Sequence, residues 1–205
     1  MLNKKPLFVT GIGTGIGKTT ISAILIEKLK SDYWKPIQSG DIEDSDTLKV
    51  KSLVSNTIST FHPETYRLTQ PFSPHKSAAI DNVSIEKNKF ILPQTDNQLL
   101  IEGAGGLMVP LNDNFLMIDL IKQFNADVIL VSQNYLGSIN HTLLSIAALK
   151  QYAINIAGII FNGRTDTDSE NYILNYSGIK LLGAVPEYKL IDKHTIIDAG
   201  KYISL

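Results

Sequence analysis

The residues with the clearest capacity for chemistry are Gly11-Ile12-Gly13-Thr14-Gly15-Ile16-Gly17-Lys18-Thr19. Glycines at this density let a backbone wrap an anion with its N–H groups inward, and a helix opening directly behind adds a favourable dipole. Lys18 supplies a point charge for β- and γ-phosphates, and the Thr19 hydroxyl can ligate Mg²⁺. The G-x-x-x-x-G-K-[ST] spacing asks for glycine at position 12, where this chain has Ile12 flanked by Gly11 and Gly13. The alternative is a bare glycine-rich turn. Against it, Gly17-Lys18-Thr19 falls where a strand gives way to a helix, as phosphate binding requires. The loop alone leaves several classes open: kinase, switch GTPase, partitioning or membrane-associated ATPase, and ATP-dependent ligase.

Other polar residues stand where apolar runs end. Lys35 follows Tyr33-Trp34 and precedes Pro36, which disfavours helix at position 35 and sets Lys35 at the C-terminal end of a strand. The competing fate is a solvated lysine. Ser39 lies two pleats further on, or is a turn serine before Gly40. Asp44-Ser45-Asp46-Thr47 precedes an apolar-periodic stretch, so these side chains can cap a helix, reach a metal, or divide the two tasks. Glu102 ends Leu99-Leu100-Ile101 ahead of Gly103-Ala104-Gly105-Gly106, a place for a Mg²⁺ carboxylate beside backbone that a phosphate can approach. Its other reading is a strand-end glutamate in water. Asn162, with Gly163 behind it, and Pro186-Glu187-Tyr188 end two more runs; an amide can donate to and accept from a nucleobase edge, or simply serve a loop. His62, His75, His141 and His194 show no zinc spacing.

The elements that must position these groups alternate regularly. Leu7–Thr10, Gln98–Ile101, Asp127–Val131, Ile156–Phe161 and Leu181–Val185 read as buried strands. Lys18–Lys30, with Ile21, Ile24, Leu25 and Leu29, and Ser138–Tyr152 read as helices. Near-continuous apolar strands between helices predict an α/β fold, a parallel sheet with helices on both faces. Right-handed crossovers then gather the strand C-termini on one edge, where ligands bind. The stretch 55–98, with Pro63, Pro71, Pro74 and Pro93, reads as helical pieces joined by ordered loops reaching over that edge. No composition break divides the chain, so residues 1–205 are expected to form one domain.

Composition narrows the classes further. The 205 residues carry 19 Lys+Arg against 20 Asp+Glu, a net charge of −1, which argues against a nucleic-acid or anionic-membrane footprint. A hydrophobic fraction of 43% with 19% charged residues is that of a globular chain. With no cysteine there is no disulfide scaffold, thiolate metal site or cysteine nucleophile. No run approaches a membrane span, and the apolar start breaks into glycines too early for a secretory segment. The expectation is a soluble cytoplasmic protein, in which the sequons at Asn82, Asn140 and Asn175 carry no glycan.

Taken together, several segments resemble the dethiobiotin synthetase family of P-loop NTPases. They are the glycine loop, Lys35–Gly40, Asp44-Ser45-Asp46, Ser73-Pro74-His75, Glu102–Gly106, Leu136–Thr142, Gly158–Asn162 and Gly200–Leu205, in the family's order over essentially the whole chain. The resemblance implies a P-loop NTPase fold and an ATP-dependent ligase that makes dethiobiotin, ADP and phosphate from 7,8-diaminononanoate, CO₂ and ATP with Mg²⁺. It implies nucleotide contacts from Gly15, Ile16, Gly17, Lys18, Thr19, Thr20, Asp46, Glu102, Gly103, Ala104, Gly105, Asn162, Gly163, Pro186, Glu187 and Tyr188. Thr19, Asp46 and Glu102 are then the Mg²⁺ ligands. Lys35 becomes the catalytic charge for the carbamate and the transferring phosphoryl group, and Thr14, Ser39, Gly105 and Asn140 the substrate contacts. The family's Ile-Asn-His-Thr segment further implies a homodimer in which Asn140 serves the partner's site. One departure stands out: the family loop usually reads Gly-Thr-Asp-Thr, and here the acid is replaced by Gly13. The rival class is a regulatory, partner-binding partitioning ATPase. Such loops carry a lysine five residues before the P-loop lysine, again the position of Gly13, and the segment 196–205 is too short and too weakly basic for a membrane-binding helix.

Overall fold

The computed structural model describes residues 4–205. Strand β1 (Leu7–Gly11) runs into the glycine loop and helix α1 (Lys18–Leu29). Strand β2 (Asp32–Trp34) delivers Lys35 and is followed by β3 (Ile37–Ser39) and α2 (Asp46–Leu53). Next come β4 (Phe61–His62), β5 (Tyr66–Leu68) and α3 (Pro74–Ile80), then β6 (Leu99–Gly106) and a small hairpin of β7 (Pro110–Asn112) and β8 (Phe115–Leu116). The chain closes with α4 (Met117–Gln123), β9 (Asp127–Ser132), α5 (Ser138–Gln151), β10 (Ile156–Asn162), α6 (Thr167–Ser177), β11 (Leu181–Val185) and α7 (Lys193–Ala199).

Seven strands form one sheet in the order β11-β10-β9-β1-β6-β2-β4, and every neighbouring pair is parallel. Alternate side chains feed two cores, as the pleat dictates. Phe8, Ile101, Val128 and Leu130 pack with residues of α4 and α5, whereas Val9, Leu100, Ile129 and Val131 pack with α1, α2 and α7. Helix α1 is buried almost all round: Ile21, Ala23, Ile24, Leu25 and Ile26 are fully inaccessible. From β1 the chain crosses to β2 on one side, and from β6 it crosses to β9 on the other. The order therefore reverses at β1, which puts the glycine loop at the point where open parallel sheets hold their ligands.

The sequence reading of 55–98 needs correcting. Only α3 and a turn of 3₁₀ helix at Lys87–Lys89 are helical; β4 is the sheet's edge strand beside β2, and β5 pairs with β3. These strands are two or three residues long, too short for an alternation to register. Ser39 therefore belongs to a separate two-stranded sheet and not to a continuation of β2. Strand β6 runs on to Gly106, so Glu102 lies within it and not at its tip. Among the described residues, no helix is long and apolar enough to cross a membrane.

Glu27 fastens α1 to the loop behind α2. Its carboxylate accepts from the backbone N–H groups of Ser55 (2.7 Å) and Asn56 (3.0 Å) and from the Lys30 ammonium (2.7 Å). Burial pushes the acid up, but the donors from Lys30, Ser55 and Asn56 outweigh it and hold it at about 2, against an ordinary 4.5. A depressed folded-state value stabilises above pH 4.5, and that stabilisation is lost as pH falls towards 2. Glu27→Gln is therefore expected to lower stability at pH 7 by about 1–3 kcal/mol in urea unfolding. The difference from the parent should shrink towards pH 2; an equal difference at both pH values would contradict this account.

Candidate active site

Gly17 opens α1 at a φ of +87°, where any other residue is strained, and a Cβ there would displace the Asn162 amide. The same amide donates from Nδ2 to the Ile16 carbonyl at 3.0 Å, tying the end of β10 to the glycine loop. The Lys18 ammonium bends back onto the Gly13 carbonyl at 2.7 Å. Burial lowers it to about 8, with attraction from Glu102 opposing and repulsion from Lys35 adding to the shift.

Opposite the loop lies a buried ionic group. Lys35, 3% exposed, places Nζ 2.7 Å from Asp46 Oδ2 and 3.3 Å from Glu102 Oε1. Glu102 is 1% exposed, so neither reading in which water solvates Lys35 or Glu102 holds. Burial works against the Lys35 cation, but Glu102 and Asp46 outweigh it and raise its affinity for the proton. Burial likewise opposes ionisation of Asp46, and the Lys35 charge overrides it and holds the acid low. Asp46 is free for this role because Ser45 caps α2, accepting from the Leu48 N–H at 3.3 Å. The two tasks open in the sequence are thus divided between neighbours.

Thr19 Oγ1 completes the group, 3.1 Å from Asp46 Oδ1 and 3.0 Å from Glu102 Oε1. A hydroxyl oxygen within such reach of two carboxylate oxygens is a donor set for a hard cation that keeps phosphate and water ligands. Among the described residues there is no group of three or more His, Cys, Asp or Glu side chains that could hold a metal ion by themselves.

These residues line a cleft of about 650 Å³ with Thr14, Gly15, Gly17, Gly103, Ala104 and Gly105. Ser39 also lines it, its hydroxyl buried and without a partner. Pro71 to Pro74 close one side, so part of the irregular region does reach over the ligand edge. Asn162 and Gly163 sit beside Pro186 on the other flank of the loop, because Asn162 pairs with Val185 and the Gly163 N–H donates to its carbonyl at 2.8 Å. Glu187 is exposed there, and the Tyr188 hydroxyl is buried without a partner. Ile16 and Thr20 back the loop without lining the cleft. Asn140 is exposed on the first turn of α5, outside its own chain's cleft; it does not cap the helix, whose cap position is Gly137.

Two contributors went unread in the sequence. The Gln38 side chain accepts from the Asp46 N–H at 3.2 Å and fixes the start of α2. The fully buried Tyr33 places its hydroxyl 3.0 Å from Glu102 Oε2. Burial, and then the nearby Glu102 charge, push this phenol well up, so it stays protonated. The available signal was its place two residues before Lys35, on the same side of an extended segment.

A glycine loop at the switch point of a parallel sheet, with Lys-Thr opening a helix and a carboxylate pair facing it, defines a P-loop NTPase fold. A family model described as an AAA domain matches residues 5–195. The ParA family ATPase of Chlorobium tepidum shares the fold, with a TM-score of 0.56 over 98% of this chain and 100% of its own at 14% identity. The cell division ATPase MinD of Pyrococcus furiosus does so at 0.57, over 97% and 98% at 11% identity. In sequence the chain is 50% identical to the ATP-dependent dethiobiotin synthetase BioD of Christiangramia forsetii over 192 residues, 94% of this chain and 92% of that protein. It is 49% identical to that of Cytophaga hutchinsonii over 188 residues, 91% of each. The chain belongs to the ATP-dependent dethiobiotin synthetase family.

Burial holds Lys18 at about 8 in the free protein, so part of the population carries it neutral at pH 8. Bound phosphate restores the charge, so nucleotide binding at pH 8 should take up a fraction of a proton. Calorimetry in buffers of different ionisation enthalpy reads this directly, and binding without proton uptake would rule it out.

Proposed function

We propose that the cleft carries out the MgATP-dependent carboxylation of 7,8-diaminononanoate with CO₂ and the closure of its ureido ring, giving dethiobiotin, ADP and phosphate. The observation that carries this reading is the Lys35–Asp46–Glu102–Thr19 group, its Lys35 and Glu102 buried, facing a phosphate loop on a chain of this family. One substrate amine attacks CO₂ to form a carbamate, a carbamate oxygen takes the γ-phosphoryl group, and the second amine closes the ring and expels phosphate. Little covalent work falls to the protein, so positioning and charge neutralisation carry the catalysis.

In this reading Lys18 and the N–H groups of Gly15 to Thr20 hold the phosphates. Lys35 offsets the charge of the carbamate and the transferring group. Thr14, Ser39 and Gly105 face the diamine, and the unpartnered Ser39 hydroxyl is ready to donate to a carbamate oxygen. Gly103 and Ala104 let backbone approach the nucleotide, while Asn162, Gly163 and Pro186 to Tyr188 flank its base. Thr19, Asp46 and Glu102 would hold Mg²⁺, which when bound neutralises phosphate charge. We further infer a homodimer, since Asn140 is exposed and has no place in its own chain's cleft, and a cytoplasmic location, as the sequence reading expects.

A partitioning-type ATPase is disfavoured by Gly13, which supplies only a carbonyl to Lys18 where that class has a lysine. The deciding assay supplies diamine, bicarbonate and MgATP. Dethiobiotin should form, and ATP hydrolysis should require both co-substrates. Hydrolysis indifferent to diamine and bicarbonate, with no product, would support the partner ATPase instead.

A further inference from the structure

The reaction scheme leaves Tyr33 without a task, yet this wholly buried side chain touches one of the most deeply buried carboxylates in the site. The two oxygens of Glu102 have different partners. Oε1 meets Thr19 Oγ1 at 3.0 Å and Lys35 Nζ at 3.3 Å, whereas Oε2 meets only the Tyr33 hydroxyl at 3.0 Å. The terminal torsion of a glutamate is broad and nearly two-fold, so nothing intrinsic chooses which oxygen faces the loop. A donor fixed on Oε2 makes that choice.

Tyr33 is itself held from both sides. Its strand lies between β6 and β4, paired with Leu100 and Phe61; its N–H donates to the Thr60 carbonyl at 2.9 Å, and its ring packs on Phe61 with centroids 5.7 Å apart. One short segment therefore supplies a partner to each Glu102 oxygen, Tyr33 to Oε2 and Lys35 to Oε1. We propose that Tyr33 is a positioning residue for the Mg²⁺ site: its hydroxyl pins Oε2 and so presents Oε1, in one orientation, to the cation. The proposal rests on the reading of Glu102 as a metal ligand given above. A tyrosine that merely fills the core would be replaced by phenylalanine without consequence for metal binding. Loss of an outer partner of a ligating group typically costs 10- to 100-fold in metal affinity.

The test uses Mn²⁺ titrated into the protein–ADP complex, with free Mn²⁺ read by electron paramagnetic resonance, for the parent, Tyr33→Phe and Glu102→Gln. Tyr33→Phe, shown folded by its melt, should weaken Mn²⁺ by about tenfold while metal-free ADP binding stays as in the parent. Weakened Mn²⁺ in Glu102→Gln with parental affinity in Tyr33→Phe overturns the role of Tyr33 alone. Parental affinity in Glu102→Gln overturns the ligand reading and the proposal together. Should Tyr33→Phe not fold, the parent's MgADP crystal structure decides. Tyr33 bonded to Oε2 with Oε1 turned to the metal supports the proposal, and a Glu102 swung away from Tyr33 refutes it.

Discussion

A lysine ammonium with almost no access to water can remain charged only if opposite charge is built around it. Removing such an ion from water costs several kcal/mol, and deleting one member of a buried pair typically costs about 3–5 kcal/mol. Asp46 and Glu102 supply the compensation for Lys35, and they come from different parts of the chain. Lys35 follows β2, Asp46 starts α2 and Glu102 lies within β6, while Thr19 joins them from the first turn of α1. Satisfying one cation thus fixes four elements relative to each other. Its value is geometric more than energetic, because a buried ion pair seldom adds net stability.

That geometry has a chemical consequence. Two lysines face one cleft, but their surroundings differ. Lys18 rests on a neutral carbonyl, and burial has weakened its hold on the proton, whereas Lys35 is clasped by two carboxylates that strengthen it. The first is easily drawn to an arriving polyphosphate. The second is a permanent charge whose place is set before any substrate enters, and such preorganisation is what stabilises charge developing in a transition state. Gly13 bears on the same point: it offers only a backbone oxygen to the loop, and Lys18 uses it.

Much of this arrangement was legible in the sequence, for reasons that can be named. The strands β1, β9, β10 and β11 are near-continuous apolar runs, and α5 was read to within one residue of its end. The chemistry-bearing groups Lys18, Thr19, Lys35, Asp46 and Glu102 announced themselves by lying where apolar patterns begin or stop. What escaped were elements defined by partners distant in sequence. The edge strand β4 and the pair β3–β5 are too short to show a period, and they exist because neighbours offer hydrogen bonds. Tyr33 entered the sequence reading only as part of the strand end before Lys35; that its hydroxyl meets Glu102, 69 residues away in sequence, is a fact of register.

The central claim is that Lys35 acts on the reacting groups and Lys18 on the nucleotide. The most direct test replaces Lys35 by glutamine, which keeps a donor of similar length while removing the charge. It compares kcat at saturating diamine and bicarbonate with the MgATP dissociation constant of the same protein. Because an interaction made mainly in the transition state registers in kcat, the rate should fall on the order of 10²–10³-fold while MgATP affinity changes little. Turnover at the parent rate combined with weakened ATP binding would instead make Lys35 a second nucleotide anchor, and the division of labour between the two lysines would be wrong.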